Sequence, residues 1–130
     1  MTGYVTDTHS LLWYFTRPVK LGQAAAAAFE QVASGDADLI VPMIVVAELI
    51  FVIQNRSITA DFDPIVNHLL ASPNVSVVDL TLARTLDLRT LTAIPDMHDR
   101  LIVAEAIARD LPLITRDQTI TTSGLVRTVW

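Results

Sequence analysis

Short segments rich in β-branched residues alternate with helical segments along the whole of this 130-residue chain. The first segment, Tyr4 to Thr6, ends in Asp7 and leads at once into an apolar helical stretch that begins at Thr8 or His9. Later strands are predicted at 38–41, 75–80, 111–115 and 126–130. Because strand and helix alternate throughout, we predict an α/β fold with a parallel sheet covered by helices.

Helices are expected between these strands. After the first, which follows Asp7, the sequence predicts helices at 21–34, 43–53, 65–71, 82–91 and 101–109. Residues 54–57 read as a polar break, and 121–124 as a turn or frayed loop. No linker or internal repeat is visible, so residues 1–130 are expected to form a single domain.

The composition excludes several classes of protein. There is no Cys, which rules out disulfides, thiolate metal sites and a Cys nucleophile. The most apolar stretch, 39–53, is interrupted by Pro42 and Glu48 and is too short to cross a bilayer, and no signal peptide is visible. We therefore expect a soluble cytoplasmic protein without a membrane partner. Hydrophobic residues make up 52% of the chain, so a partner is expected to cover some apolar surface.

The charge balance argues at first against nucleic-acid binding, because the formal net charge is −5. However, eight of the nine basic residues are Arg, whose planar guanidinium binds phosphate bidentately. Clustered carboxylates with bound divalent cations would also be locally neutral. The acidic total therefore leaves a nucleic-acid substrate possible.

Four acidic residues lie where a functional site would form. Asp7 follows the first strand, and Asp117 repeats this arrangement after the strand at 111–115. Ligands bind at the carboxyl edge of such sheets. Glu48 is the one charged residue in an apolar helix, and Asp99 points along the buried face of another. Asp96, the expected N-cap of that last helix, is a possible fifth member.

Three of these residues also have a purely structural explanation. Glu48 could be a buried acid paired with an Arg or a backbone group. Asp96 and Asp99 suit a helix N-terminus through the free amide hydrogens and the helix dipole. We favour the site interpretation for Glu48, because desolvated acids concentrate at functional sites.

Neighbouring residues receive structural interpretations. His9 and His98 lack metal-ligand spacing to another His and are interpreted as capping or packing residues. Trp13 is interpreted as a core residue and not as a base-stacking platform. Glu105 and Arg109 have the i, i+4 spacing of a surface ion pair.

Four acids in one pocket would need a cation. Two like charges 4 Å apart repel by about 4 kcal/mol at an effective dielectric constant near 20. Oxygen ligands select hard ions, so Mg²⁺ or Mn²⁺ is expected and not Zn²⁺. Carboxylates that hold one or two such ions are the usual apparatus for in-line attack on a phosphodiester.

Four sequence motifs resemble those of the PIN-domain ribonucleases, and most closely the VapC toxins of bacterial toxin–antitoxin pairs. They are Asp7-Thr8-His9-Ser10-Leu11-Leu12-Trp13, Ala47-Glu48-Leu49, Asp96-Met97-His98-Asp99-Arg100 with the following Leu-Ile-Val-Ala, and Leu113-Ile114-Thr115-Arg116-Asp117. The resemblance covers nearly the whole chain. One departure is Glu105, where relatives commonly carry Thr or Gln.

The resemblance implies a three-layer α/β/α sandwich with a central parallel sheet and a Mg²⁺- or Mn²⁺-dependent endoribonuclease. It also implies a homodimer inhibited by a VapB-type antitoxin. The residues that match the family's acidic quartet are Asp7, Glu48, Asp99 and Asp117. Thr115 matches a hydroxyl position beside the metal, and Asp96 matches a frequent extra acid. Arg100 and Arg116 flank the motifs as possible phosphate contacts, or as structural partners of the acids.

Other functions fit less well. An aspartyl-nucleophile phosphatase needs a second acid two residues after the first, where this chain has His9, and a Lys near the later acids, whereas Lys20 is the only Lys. The four glycines form no phosphate-binding loop. The alternative that stays open is a catalytically inactive PIN module used only for assembly.

For an antitoxin, we expect a groove between the helices at 21–34 and 43–55.

Overall fold

A computed structural model describes residues 2–55 and 59–130 of the chain. Its centre is a five-stranded sheet in which every pairing is parallel, with the strand order β3-β2-β1-β4-β5. The strands are β1 (Thr2–Thr6), β2 (Ala37–Pro42), β3 (Val75–Val78), β4 (Leu113–Ile114) and β5 (Thr128–Val129). The predicted parallel α/β sheet is therefore confirmed.

Seven α-helices connect the strands in the described part of the chain. They are α1 (Thr8–Thr16), α2 (Gln23–Ala33), α3 (Met43–Gln54), α4 (Phe62–Ala71), α5 (Leu82–Leu86), α6 (Met97–Arg109) and α7 (Gln118–Ser123). Two single turns of 3-10 helix, Pro18–Lys20 and Asp87–Arg89, follow α1 and α5. Six of the seven helices overlap those predicted from the sequence.

The order of the strands creates a crevice between β1 and β4. The chain runs outward from β1 through β2 to β3 and then crosses back to β4 on the other side of β1. Parallel crossovers are right-handed, so this reversal places the later helices on the opposite face of the sheet. Ligands bind at such a switch point, beyond the carboxyl ends of the strands. Asp7 and Asp117 both lie there.

The structure differs from the sequence-based prediction at three points. Residues 118–123 form a helix, although 121–124 was expected to be a turn or frayed loop. Asp117 caps this helix at one end, and Gly124 ends it with φ +68°. The helix expected at 82–91 is α5 followed by a 3-10 turn. The polar break expected at 54–57 begins with the end of α3, and residues 56–57 lie outside the described residues.

Apolar surface is exposed on several helices, as the composition predicted. Phe51 on α3, Leu70 on α4 and Leu82 on α5 are all more than two-thirds exposed. An apolar cavity of about 310 Å³ lies between α1, α2 and α4 and has no wall from α3. In this cavity α1 and α4 lie beside α2, and the groove expected between α2 and α3 stays a prediction. No helix in the described residues is both long and apolar enough to cross a membrane.

Candidate active site

Three of the predicted site acids begin a helix. Asp7 caps α1, Asp96 caps α6 and Asp117 caps α7, each through a carboxylate oxygen that accepts from the backbone N–H three residues later. The donor–acceptor distance is 3.0 Å in all three caps. Asp is a favoured N-cap residue because it satisfies a free amide of the first turn. Local capping therefore fixes one oxygen of each carboxylate.

Thr115 joins Asp7 to Asp117. Its hydroxyl donates to Oδ2 of Asp7 at 2.6 Å and accepts from the backbone N–H of Asp117 at 3.1 Å. The side chain is 1% exposed. A hydroxyl in this position orients the Asp7 carboxylate. Because Thr115 follows β4 directly, the hydroxyl links the carboxyl ends of β1 and β4 across the crevice.

Glu48 enters the site from the middle of α3. Its Oε1 accepts from the Thr8 hydroxyl at 2.6 Å, and its Oε2 lies 3.2 Å from His98 Nδ1. His98 was interpreted as a capping or packing residue, and its contact with a site acid was missed. The pair was not visible in the sequence, because the two residues are 50 positions apart.

Asp99 completes the set of acids around one cavity of about 360 Å³. The cavity is lined by Asp7, Thr8, His9, Ser10, Trp13, Glu48, Asp96, Asp99, Ile102, Arg116 and Asp117. Burial, and after it the charges of the other four acids around the cavity, together raise the pKa of Asp99 to about 7. All five predicted acids therefore meet in one place and repel one another.

The pKa of Asp7 is also raised, mainly because the carboxyl group is buried. Hydrogen bonds from Ser10 and Thr115 and the nearby His9 act in the opposite direction, but do not cancel the effect of burial. A buried carboxyl group with a raised pKa gains from any cation that enters the cavity. Asp7 and Asp99 are thus the two acids most sensitive to added positive charge.

Basic side chains do not neutralise this cluster within the described residues. The cavity acids form one ion pair there, between Glu48 and His98, and none with Lys or Arg. Hard divalent cations prefer such a set of carboxylate oxygens. However, no three His, Asp or Glu side chains in residues 2–55 and 59–130 are close enough to hold one ion as they stand. The donor set fits Mg²⁺ or Mn²⁺ in its chemistry, and binding requires some of these side chains to move together.

The two arginines predicted as possible phosphate contacts lie in different surroundings. Arg116 is exposed and lines the cavity. Arg100 instead donates to the backbone carbonyl oxygens of Ile94 and Leu88 and is not part of the cavity wall. Its guanidinium therefore holds the segment before α6 in place, which differs from both roles expected from the sequence.

Glu105 is buried but lies outside the acid cavity. It is 7% exposed, and its Oε1 accepts from Arg109 Nε at 2.7 Å. The predicted pair is confirmed, but its description as a surface pair was wrong for Glu105. Because Arg109 neutralises this carboxylate, Glu105 does not add to the charge of the site.

The fold agrees with comparisons to known proteins. The chain matches the PIN domain family over residues 4–122. It belongs to the PIN domain family. No curated protein sequence matches it.

Solved structures of toxin–antitoxin proteins have the same fold as this PIN domain. One such structure is that of VapBC2 from Rickettsia felis bound to a DNA fragment from its promoter. Its sequence is 16% identical to this chain, and the two structures align with a TM-score of 0.73 over 98% of this chain and 97% of that chain. DNA-bound VapBC from Salmonella typhimurium is 13% identical, with a TM-score of 0.68 over 98% and 97%. FitAcB from Neisseria gonorrhoeae is 20% identical, with a TM-score of 0.60 over 96% and 95%.

Proposed function

We propose that this protein is a metal-dependent endoribonuclease that acts as the toxin of a toxin–antitoxin pair in the cytoplasm. The observation that carries the proposal is the convergence of Asp7, Glu48, Asp99 and Asp117 on one cavity without a Lys or Arg partner in the described residues. PIN domains are nucleases as a class, and residues 1–130 are proposed to form one such domain.

Mg²⁺ or Mn²⁺ would be held by Asp7, Glu48, Asp99 and Asp117, with Asp96 as an additional acid at the rim. When bound, the metal supplies an activated water and charge stabilisation for phosphodiester hydrolysis. Thr115 fixes one oxygen of Asp7, and Thr8 fixes one oxygen of Glu48. Both hydroxyls therefore orient carboxylates without being required as ligands.

The alternative is an inactive PIN module that serves only in assembly. The spacing of the acids favours this alternative, because no three of them in the described residues converge on one ion position. Glu48 is also held by Thr8 and His98. The raised pKa values of Asp7, by burial, and of Asp99, by burial and the neighbouring acids, favour the nuclease, because strongly shifted pKa values are concentrated at functional sites.

The proposed partners are RNA, a VapB-type antitoxin and a second copy of this chain. The structures named above contain toxin and antitoxin components together, which supports an antitoxin partner here. The exposed apolar side chains on α3, α4 and α5 give such partners surface to bury. An antitoxin is expected to protect amides of α2 and α3 from hydrogen exchange.

The test is to map cleavage sites in total RNA with the wild type and with Asp7→Asn, with and without Mn²⁺. We expect Mn²⁺-dependent cuts that disappear in Asp7→Asn, because an amide is a poor ligand for a hard cation. Asn still caps a helix, so α1 should stay intact. Asp61→Asn is the matched control, since Asp61 occupies the N-cap of α4 without a side-chain cap hydrogen bond and lies outside the cavity.

Cuts that persist in Asp7→Asn would show that Asp7 is not part of the catalytic site. An absence of Mn²⁺-dependent cuts by the wild type would favour the assembly module.

A further inference from the structure

Trp13 forms part of the wall of the acid cavity. The sequence suggested that it belongs to the core, but its side chain is only half-buried and lines the same cavity as Asp7 and Asp117. His9, one helical turn earlier, lies with its ring centroid 5.6 Å from that of Trp13. The backbone of Trp13 lies about 9 Å along the α1 axis from that of Asp7, given a rise of 1.5 Å per residue.

Two cations lie against this one ring. Lys20 Nζ is 5.5 Å from the Trp13 ring centroid, and Arg116 Cζ is 5.3 Å from it. Both side chains are exposed, and they come from different segments, the turn after α1 and the residue after Thr115. Such contacts fall within the distance over which a cation is attracted to an aromatic face.

These cations place positive charge at the edge of an acidic cavity. The chain carries only nine Lys and Arg residues and a formal net charge of −5. A phosphate strand that approaches the carboxylates is repelled unless basic groups stand beside them. Lys20 and Arg116 are basic groups in that position, and both are free of any ion pair with an acid in the described residues.

The Trp13 indole also packs against Trp130. The two rings meet edge to face, with centroids 5.9 Å apart. Trp130 in turn lies against Gly22, where an added Cβ would come within 2.5 Å of the Trp130 carbonyl carbon. Gly22 thus allows the close approach of Trp130, which fixes the orientation of Trp13. A fixed aromatic face loses little conformational entropy when a flat ligand stacks on it.

We propose that Trp13, Lys20 and Arg116 form a seat for one nucleotide of single-stranded RNA beside the bond that is cut. This inference rests on the proposed nuclease function. The base stacks on Trp13, and the adjacent phosphates lie at Lys20 and Arg116. A stacking base replaces one cation on the ring, and the displaced cation becomes available to a phosphate. Stacking of this kind tolerates any base, because every base has a π face.

Binding of RNA is measured in the Asp7→Asn protein without metal, so that cleavage cannot interfere. The probes are a labelled single-stranded RNA ten nucleotides long and a series in which each member lacks one base. We expect the loss of one particular base to weaken binding about tenfold, the effect of one stacked base. In Asp7→Asn with Trp13→Leu, intact RNA and every abasic RNA should bind equally well. Trp13→Tyr, which keeps an aromatic face, should preserve most of the base effect.

The cations are tested by the salt dependence of the same binding. Lys20→Gln and Arg116→Gln should each reduce the slope of log K against log salt by about 0.7, the value for one phosphate contact on a single strand. Phe51→Leu and Arg89→Gln are the matched controls, because both side chains are exposed and lie outside the cavity. Neither should change the base effect or the slope.

Two outcomes would overturn the inference. One is a base effect that persists in a folded Trp13→Leu protein, as judged by circular dichroism. The other is a decaglutamate peptide that binds through Lys20 and Arg116 while RNA does not, which would indicate an acidic protein segment as the ligand. Wild-type cleavage of RNA combined with either result would leave the proposed function standing. A Trp13-dependent base effect without any Mn²⁺-dependent cleavage would disprove the nuclease alone.

Discussion

The Thr115 hydroxyl donates to Asp7 Oδ2 at 2.6 Å and so ties the end of β4 to the start of α1. The Thr115 hydroxyl oxygen also accepts from the Asp117 N–H, so one side chain sets the positions of two acids of the site. These acids are 110 residues apart in the chain, and the sheet register brings them together.

We predict that Thr115→Val lowers RNA cleavage by about tenfold to a hundredfold, the usual effect of removing a group that orients a metal ligand. The change keeps the shape of the side chain but leaves the Asp117 N–H without its acceptor and Asp7 Oδ2 without its donor. The free energy of unfolding should fall by about 1–3 kcal/mol. Thr115→Ser retains the hydroxyl and is the control. If both variants cleave like the wild type, the hydroxyl has no role in positioning Asp7.

The sequence predicted the site acids better than it predicted their surroundings. Asp7, Asp96 and Asp117 could be predicted from the neighbouring sequence, because each follows a strand or loop and caps a helix. The helix after Asp117 was missed because Gln118–Ser123 is rich in Thr and contains Ile, residues of modest helix propensity. Its formation depends on the cap at one end and on Gly124 at the other, together with burial of Ile120.

Contacts between residues far apart in the chain could not be predicted from local sequence patterns. The bonds from Thr8 and His98 to Glu48 join residues 40 and 50 positions apart. Helical periodicity marked Trp13 as apolar but could not show that its ring faces a cavity. In the same way, the spacing of Glu105 and Arg109 revealed their pairing but not the burial of the acid.

The stability of the metal-free protein should depend on pH through Asp99. Its pKa is raised to about 7 in the folded state from the ordinary value of 3.8, first by burial and then by the neighbouring acids. Between these values the folded state binds more protons than the unfolded state. The free energy of unfolding therefore falls as the pH rises through this range. This contribution is lost once the pH exceeds about 7.

We predict that Asp99→Asn, which cannot ionise, gains stability relative to the wild type as the pH rises from about 4 to about 7. Urea unfolding in EDTA at several pH values measures the difference between the two proteins. Asp79→Asn, at an exposed position outside the cavity, should show a constant difference. A constant difference for Asp99→Asn as well would mean that the pKa of Asp99 is not raised in the folded protein.

Mn²⁺ should raise the melting temperature of the wild type. A ligand at one hundred times its Kd stabilises the folded state by about 2.7 kcal/mol, or roughly 10 °C for a domain of this size. Asp117→Asn keeps the N-cap of α7 but removes one charge from the cavity. We expect it to reduce the shift to less than half. Asp61→Asn should shift like the wild type, and an equal shift for Asp117→Asn would place the ion elsewhere.

The buried pair of Glu105 and Arg109 should matter for stability and not for activity. Glu105 is 7% exposed, whereas the Arg109 side chain is 39% exposed and keeps contact with water. Removal of the cation leaves the buried Glu105 carboxylate without an ion-pair partner. Arg109→Met should therefore lower the free energy of unfolding by about 1–3 kcal/mol.

A second substitution tests the cause of that loss. Adding Glu105→Gln to Arg109→Met removes the stranded charge and should restore most of the stability, since buried pairs are replaceable by neutral groups. Both proteins should cleave RNA at the wild-type rate under conditions where they are folded, because neither residue lines the cavity. Chemical denaturation gives the stability, and a fluorogenic RNA gives the rate. A fall in the cleavage rate without a fall in stability would show that the charge of Glu105 affects the acids of the site.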